Sequence, residues 1–186
     1  EYTKIEGRTY AIGNFSEGIA GILGGFLAMT SINLPVYIQT IVMFLSIPVA
    51  MTLVEPKSSY KLAKSFNSVI TVVKDTFIHN RKLRWYIIYS SSMGIATLSI
   101  AWFVQPFLME IETPILYYGI IWAFLNFTAG ITSYYSHLFN NDNLLIYTSL
   151  TMIISLILLG LYVSYFGLIF IIIIYLLRGV ITPNLR

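Results

Sequence analysis

The chain has no cysteine and few charged residues, and both absences narrow the classes of protein it can belong to. Only 10% of its 186 residues are charged, whereas ordinary soluble domains carry roughly 25%. Without cysteine, this sequence forms neither a disulfide framework nor a thiolate metal site. The motifs HExxH, GxSxG and CxxC and the Walker lysine loop are also missing. The sequence therefore predicts no catalytic residues, no metal site and no cofactor.

In place of charge, the sequence has long apolar segments. Hydrophobic residues make up 57% of the chain, and a helix that crosses a bilayer needs about 20 mostly apolar residues. Six segments come close to this length and predict an all-α, polytopic membrane protein. The predicted spans are 9–29, 36–54, 85–108, 115–136, 144–163 and 166–183.

The basic residues predict the orientation of these spans. They precede the first span, lie between the second and the third, or lie in or after the last, while the opposite connections hold only Glu110 and Glu112. The positive-inside rule then places the basic loops in the cytoplasm and the protein in a plasma or inner membrane. It also assigns the net charge of +3 to topology rather than to nucleic-acid binding. The basic residues are Lys4, Arg8, Lys57, Lys61, Lys64, Lys74, Arg81, Lys82, Arg84, Arg178 and Arg186.

The chain divides by composition into two helices (1–54), a basic connection (55–84) and four helices (85–186). Apolar residues recur at helical spacing within 57–84, which predicts an amphipathic helix at the membrane interface. A solvated linker is the alternative. Since the chain starts without Met and ends shortly after a proline, we expect it to be an internal fragment whose partner is the remainder of the same chain.

Two ionisable residues fall inside predicted spans, where they are costly to expose to lipid. Glu17 lies about 13 Å along the first span at 1.5 Å per residue, and it is interpreted as a proton-coupling or substrate-contacting group, or as a structural carboxylate paired with a buried cation. Arg178 lies in the sixth span. It would bind an anionic substrate group, pair with Glu17, or extend its side chain to the cytoplasmic interface.

Polar and small residues within the spans complete the candidate set. Asn126 in the fourth span and Gln105, next to Pro106 in the third, are interpreted as cavity-lining groups; the alternatives are a bridge between helices and ordinary helix termination. A small-residue face in the first span, with GxxxG spacing between two of its members, predicts close packing against another helix. This face consists of Gly18, Gly21, Gly24 and Gly25.

The order of these features resembles the middle of a major facilitator superfamily transporter, from the fifth to the tenth of its twelve helices. The sequence Ile5-Glu6-Gly7-Arg8-Thr9 before a glycine-rich span is similar to the approach to the fifth helix. Glu55-Pro56 followed by a long basic loop resembles the connection between the family's two halves. Arg178-Gly179 and Pro183 resemble the inner part of the tenth helix. The chain lacks the proline of the family's antiporter signature and has Ala20-Gly21 there.

The resemblance implies two six-helix bundles with a substrate site between them near the membrane midplane. The chain would supply two helices of one bundle and four of the other. The predicted function is secondary active transport of a small solute by alternating access, driven by a proton or another ion. Glu17 would couple or gate, Arg178 would contact substrate or the other bundle, and Asn126 would line the cavity. The alternatives are a non-transporting sensor or scaffold, and a permease subunit of an ATP-driven importer.

Overall fold

The computed structural model describes residues 1–54, 70–71, 73–139 and 143–185. Within these residues the chain is helical and contains no β-strand. Its six long helices occupy the six predicted spans, with somewhat different ends. They are α1 (Tyr2–Thr30), α2 (Leu34–Met51), α3 (Arg81–Glu110), α4 (Leu116–Tyr134), α5 (Leu144–Leu161) and α6 (Gly167–Asn184).

Five of these helices, all but α4, are long and apolar enough to cross a membrane. The prediction of a multi-pass helical membrane protein therefore agrees with the structure at this level. The exception, α4, has 19 residues, among them Asn126, Thr128, Thr132 and Ser133, which lower its hydropathy. Much of α4 is buried against other helices, and a helix in that position needs less apolar surface than one that faces lipid.

Two helices are longer than the spans predicted from hydropathy. Helix α1 begins at Tyr2 and α3 begins at Arg81, seven and four residues before the predicted spans. At 1.5 Å per residue, their 29 and 30 residues extend about 44 Å, well beyond a hydrocarbon core of about 30 Å. The additional turns contain most of the charged residues of these helices, because a helix can continue where its side chains reach water or headgroups.

Helix α3 ends in a Schellman motif outside its apolar segment. Glu112 adopts a left-handed conformation with φ of 54°, the backbone N–H of Thr113 donates to the Leu108 carbonyl at 3.0 Å, and that of Glu112 donates to the Met109 carbonyl at 3.0 Å. This pattern satisfies the last carbonyls of a helix. Pro114 follows and prevents continuation, so the chain reverses into α4.

The chain forms two compact units, Glu1–Pro35 together with Met93–Arg186, and Val36–Ser92. In the first unit, the hydrophobic core lies where α3, α4, α5 and α6 meet. Helix α6 is the most buried of the candidate spans. Its Ile171, Ile174 and Tyr175 are almost completely buried in this core.

Helix α1 packs antiparallel along α4 through glycine. A Cβ atom placed on Gly119 would lie 2.5 Å from the Gly21 carbonyl oxygen and 3.1 Å from the Gly25 Cα, while a Cβ on Gly18 would collide with the Phe127 ring. Because the obstacle at Gly119 is backbone, no side-chain rotation relieves it. Two helices can approach this closely only where small residues face each other, and this packing brings the charged residues of α1 close to α6.

The second unit contains α2 from Val36 onward and the beginning of α3. No residue of α2 is buried. A π-helical turn, Asp75–His79, carries an ion pair of 3.5 Å between its two end residues. Asn80 caps α3, since its Oδ1 accepts from the Leu83 N–H at 3.0 Å. Residues 57–69 and 72 of the segment predicted to form an amphipathic helix lie outside the described residues.

Candidate functional site

A pocket of about 300 Å³ lies between α1, α3, α4 and α6 in the first unit. We call it the charged pocket, because it contains a carboxylate and a guanidinium. Three of the four residues predicted to serve substrate or coupling line it, although they come from three different helices. The lining residues are Glu17, Leu98, Ala101, Trp102, Gln105, Trp122 and Arg178.

The Arg178 side chain is oriented by two tyrosines. Its Nε donates to the Tyr10 hydroxyl at 2.8 Å, and its Cζ lies 5.5 Å from the centre of the Tyr175 ring. The buried Tyr175 hydroxyl also lies beside the guanidinium. The two tyrosines therefore fix the plane of the guanidinium, and Tyr10 engages one of its five N–H donors, the Nε–H. An arginine that is held in this way can still bind a carboxylate or phosphate through its remaining donors.

Glu17 lies on the same face of α1 as Tyr10. Residues 10, 14 and 17 are separated by four and three positions, so their side chains lie one above another on a helix. Asn14 is 4% exposed and donates from Nδ2 to the Tyr10 carbonyl at 2.8 Å. This polar stripe begins at the tyrosine that holds Arg178 and ends at the carboxylate that lines the pocket.

The two charges of the pocket form no ion pair with each other. One alternative considered for Glu17 and Arg178 is a direct contact between them, but in the structure the guanidinium bonds to Tyr10 instead. Throughout the described ranges, the contact observed between a basic and an acidic side chain is that of the His79 imidazole with the Asp75 carboxylate. The pocket therefore presents a carboxylate and a guanidinium that are each available to a ligand.

Gln105 lies at the junction between the charged pocket and a second pocket. The second pocket, of about 490 Å³, is called the glycine pocket here because four glycines line it. Gln105 and Trp122 line both. The glycine pocket is lined by Gly21, Gly24, Gly25, Ala28, Ile32, Val104, Gln105, Leu108, Ile115, Tyr118, Gly119 and Trp122.

The predicted packing glycines do not all have the same surroundings. Gly18, Gly21 and Gly25 lie against α4, where a Cβ on Gly21 would approach the Trp122 Cδ1 to 2.7 Å. A Cβ on Gly24 would meet no other residue within 4 Å, and Gly24 lines the glycine pocket instead.

Asn126 is not among the residues that line either pocket. It is completely buried in α4, and its Nδ2 donates to the Trp122 carbonyl at 3.0 Å. Its Oδ1 accepts no hydrogen bond from the described residues, and the same is true of the buried Tyr175 hydroxyl. The Tyr175 ring packs edge-to-face on Trp122 with centroids 6.4 Å apart, so these two incompletely bonded polar groups lie near the pocket wall.

The end of the first unit that contains Arg8 is tightly packed. We call it the Arg8 end, and the opposite end, where α3 terminates, the Glu110 end. The Ser133 hydroxyl donates to the Gly7 carbonyl at 2.9 Å, and the Arg8 Cζ lies 5.6 Å from the Tyr134 ring centre. The Asn184 amide donates to the Ser136 carbonyl at 3.4 Å. These contacts join α1 to α4, and α6 to the 3-10 turn Ser136–Leu138 that follows α4, on the side of the charged pocket opposite the glycine pocket.

Sequence reasoning missed several residues of the pocket. Tyr10, Trp102, Trp122 and Tyr175 are aromatic residues in apolar helices, and such residues are usually interpreted as membrane-interface or core residues. The spacing of Tyr10, Asn14 and Glu17 was a usable signal, because three polar side chains on one face of an apolar helix indicate a protein or water interface. In the described part of the chain, no cluster of three or more His, Cys, Asp or Glu is positioned to hold a metal ion.

No known protein family, curated protein or solved structure matches this chain. The resemblance to the major facilitator superfamily therefore rests on sequence features alone.

Proposed function

We propose that this chain is part of a secondary active transporter that moves a small solute across a membrane by alternating access. The observation that carries the proposal is the charged pocket, in which the unpaired Glu17 and Arg178 lie among long apolar helices. Charged side chains inside a membrane bundle are expensive, and they typically mark the path of a substrate or ion. A purely structural pair would neutralise itself.

The asymmetry of the first unit supports a transport cycle. The Arg8 end is closed by a hydrogen bond between α4 and α1 and another between α6 and the turn after α4, whereas the glycine pocket extends from the charged pocket towards Ile32 and Ile115 at the Glu110 end. A site that is closed on one side and continues into a pocket on the other corresponds to one state of alternating access. In the proposed orientation, the closed side is cytoplasmic.

The proposal includes the two-bundle arrangement of the major facilitator superfamily, with six spans in this chain. Helices from the remainder of the protein would then complete the pocket. Trp102 supports this, since it lines the pocket and is still 75% exposed in this chain. In the same scheme Glu17 is the coupling or substrate-contacting carboxylate, because it lines the pocket and accepts no hydrogen bond from the described residues.

The test uses the complete protein in proteoliposomes and does not require a known substrate. Vesicles with an imposed proton gradient are incubated with a mixture of metabolites, and accumulated solutes are identified by mass spectrometry. We expect at least one solute to accumulate, and Glu17→Gln to abolish the gradient-dependent part. Glu110→Gln is the matched control, because Glu110 lines a separate apolar pocket. Absence of accumulation under proton and sodium gradients would favour the sensor or scaffold.

A further inference from the structure

The charged pocket contains one carboxylate and one guanidinium, and it holds them apart. Glu17 and Arg178 line the same pocket without pairing. Glu17 is exposed and Arg178 is half-buried in this chain, and within a membrane such charges are costly unless they are compensated or face water. A ligand that carries both charges compensates both groups. A simple anion would leave Glu17 without a counter-charge, and a simple cation would leave Arg178 without one.

The Arg178 guanidinium can bind a carboxylate. Tyr10 binds Nε, and Tyr175 lies beside the guanidinium, while four of its five N–H donors are on the Nη atoms. Arginine recognises carboxylates by donating two parallel hydrogen bonds. The tyrosines fix its plane in advance, which reduces the entropy lost when a ligand binds.

The wall that Glu17 shares with two tryptophans matches an organic ammonium group. Trp102 and Trp122 line the pocket together with Glu17. Aromatic faces attract ammonium groups, and tryptophan does so most strongly. A carboxylate next to such faces binds a cation that also has apolar substituents better than it binds a bare metal ion, because the rings cover those substituents.

From these observations we infer that the substrate of the charged pocket is a small zwitterion, with a carboxylate bound by Arg178 and an organic ammonium group bound by Glu17 and the tryptophans. The inference rests on the proposed function and names the substrate class. This chain's part of the pocket has a volume of about 300 Å³, within the range of small-molecule sites, and small zwitterions such as amino acids and betaines are therefore the probes.

The experiment measures equilibrium binding to the complete protein in detergent. The probes are the twenty protein amino acids and glycine betaine, and then the methyl ester and the N-acetyl form of any amino acid that binds. The ester removes the negative charge and the N-acetyl form removes the positive charge, with little change in the body of the molecule. We expect one or more of the zwitterions to bind. For an amino acid that binds, we expect the methyl ester and the N-acetyl form to bind at least tenfold more weakly than the parent. For glycine betaine, choline is the derivative that lacks the carboxylate.

Substitutions in the pocket test which residue binds which charged group of the ligand. Glu17→Gln is expected to remove the discrimination against the N-acetyl form, and Arg178→Gln the discrimination against the ester. Glu110→Gln should change neither ratio. If Arg178→Gln does not give a monodisperse protein, the Glu17→Gln ratio alone decides.

Two results would overturn the inference. One is that no zwitterion of the set binds. The other is that the N-acetyl form binds as tightly as its parent, which would indicate an anion carried with a proton on Glu17. If the proteoliposomes accumulate a solute that is not zwitterionic, the proposed substrate class is refuted but the proposal of transport is not. If a zwitterion binds but no solute accumulates, the proposal of transport is refuted but the proposed ligand class is not.

Discussion

The Arg178 guanidinium donates from Nε to the Tyr10 hydroxyl at 2.8 Å. The two residues are 168 positions apart and lie on α6 and α1, helices that the sequence resemblance assigns to different bundles. The bond orients the arginine in the charged pocket and uses one of its five N–H donors. In the proposed transporter, substrate binding and the association of α1 with α6 would therefore share one side chain.

Tyr10→Phe tests this shared role. The substitution removes the hydroxyl but keeps the ring and both pocket charges. Because hydrogen bonds to charged groups contribute roughly 1.5–3 kcal/mol, we expect the unfolding free energy to fall by about 1–2 kcal/mol. Unfolding by SDS in mixed micelles measures this, with Tyr165→Phe as the control, since that tyrosine is 60% exposed. Equal stability of both variants would show that the bond contributes nothing to folding.

Two glycines test the close packing of α1 against α4, because one lies in the contact between the helices and the other does not. Gly119→Ala places a methyl group against the Gly21 and Gly25 backbone, so the helices must separate, at a cost of about 1–3 kcal/mol. Gly24→Ala meets no other residue within 4 Å and should be neutral or slightly stabilising, because alanine favours a helix. The comparison of unfolding free energies checks this. Equal effects at the two positions would contradict the packing described here.

Asn126→Leu separates a structural from a functional role for this amide. The side chain is completely buried and its Oδ1 accepts no hydrogen bond from the described residues. Since an unsatisfied buried acceptor costs about 1–3 kcal/mol, we expect leucine to raise the unfolding free energy by about 1 kcal/mol. Solute accumulation should stay within threefold of wild type, because Asn126 lines neither pocket. Loss of accumulation by a folded variant would mean that Asn126 reaches the substrate in another state.

Ser133→Ala should loosen the Arg8 end. It removes the hydrogen bond to the Gly7 carbonyl, which contributes about 1 kcal/mol, equivalent to roughly a fivefold change in a two-state equilibrium. We expect a single cysteine introduced at Thr132 to react faster with maleimide in this background. Ser164→Ala is the control, because Ser164 lies at the other end of the bundle. An unchanged rate would show that the bond does not keep this end closed.

The sequence predicted the helices well because apolar length is a local property. All six predicted spans contain a helix, and five helices have the length and composition to cross a membrane. The sequence also predicted Glu17, Gln105 and Arg178 as site residues, and the structure places them in one pocket. Charged or amide groups in apolar helices are recognisable without a fold, because they are expensive there.

The other features of the candidate site depend on tertiary contacts, which the sequence alone does not show. The orientation of Arg178 depends on Tyr10, which is distant in sequence, and the pocket walls depend on Trp102 and Trp122, whose apolar character gives no local sign of a site. Asn126 is a polar residue in an apolar span, as a cavity-lining residue would be. The structure instead buries it completely, and it does not line either pocket. Hydropathy likewise does not indicate how far α1 and α3 continue beyond the apolar core.

The accessibility of a single cysteine in the charged pocket distinguishes alternating access from a pocket that is permanently open to one side. This sequence has no cysteine, so in a cysteine-free complete protein Ala101→Cys reports on the pocket and Ile153→Cys on the 52% exposed outer face of α5. The account predicts that a membrane-impermeant maleimide reaches position 101 from the Glu110 side at rest and from the Arg8 side when an ion gradient is imposed, while position 153 stays unlabelled. Labelling of position 101 from the same single side under every gradient would contradict it.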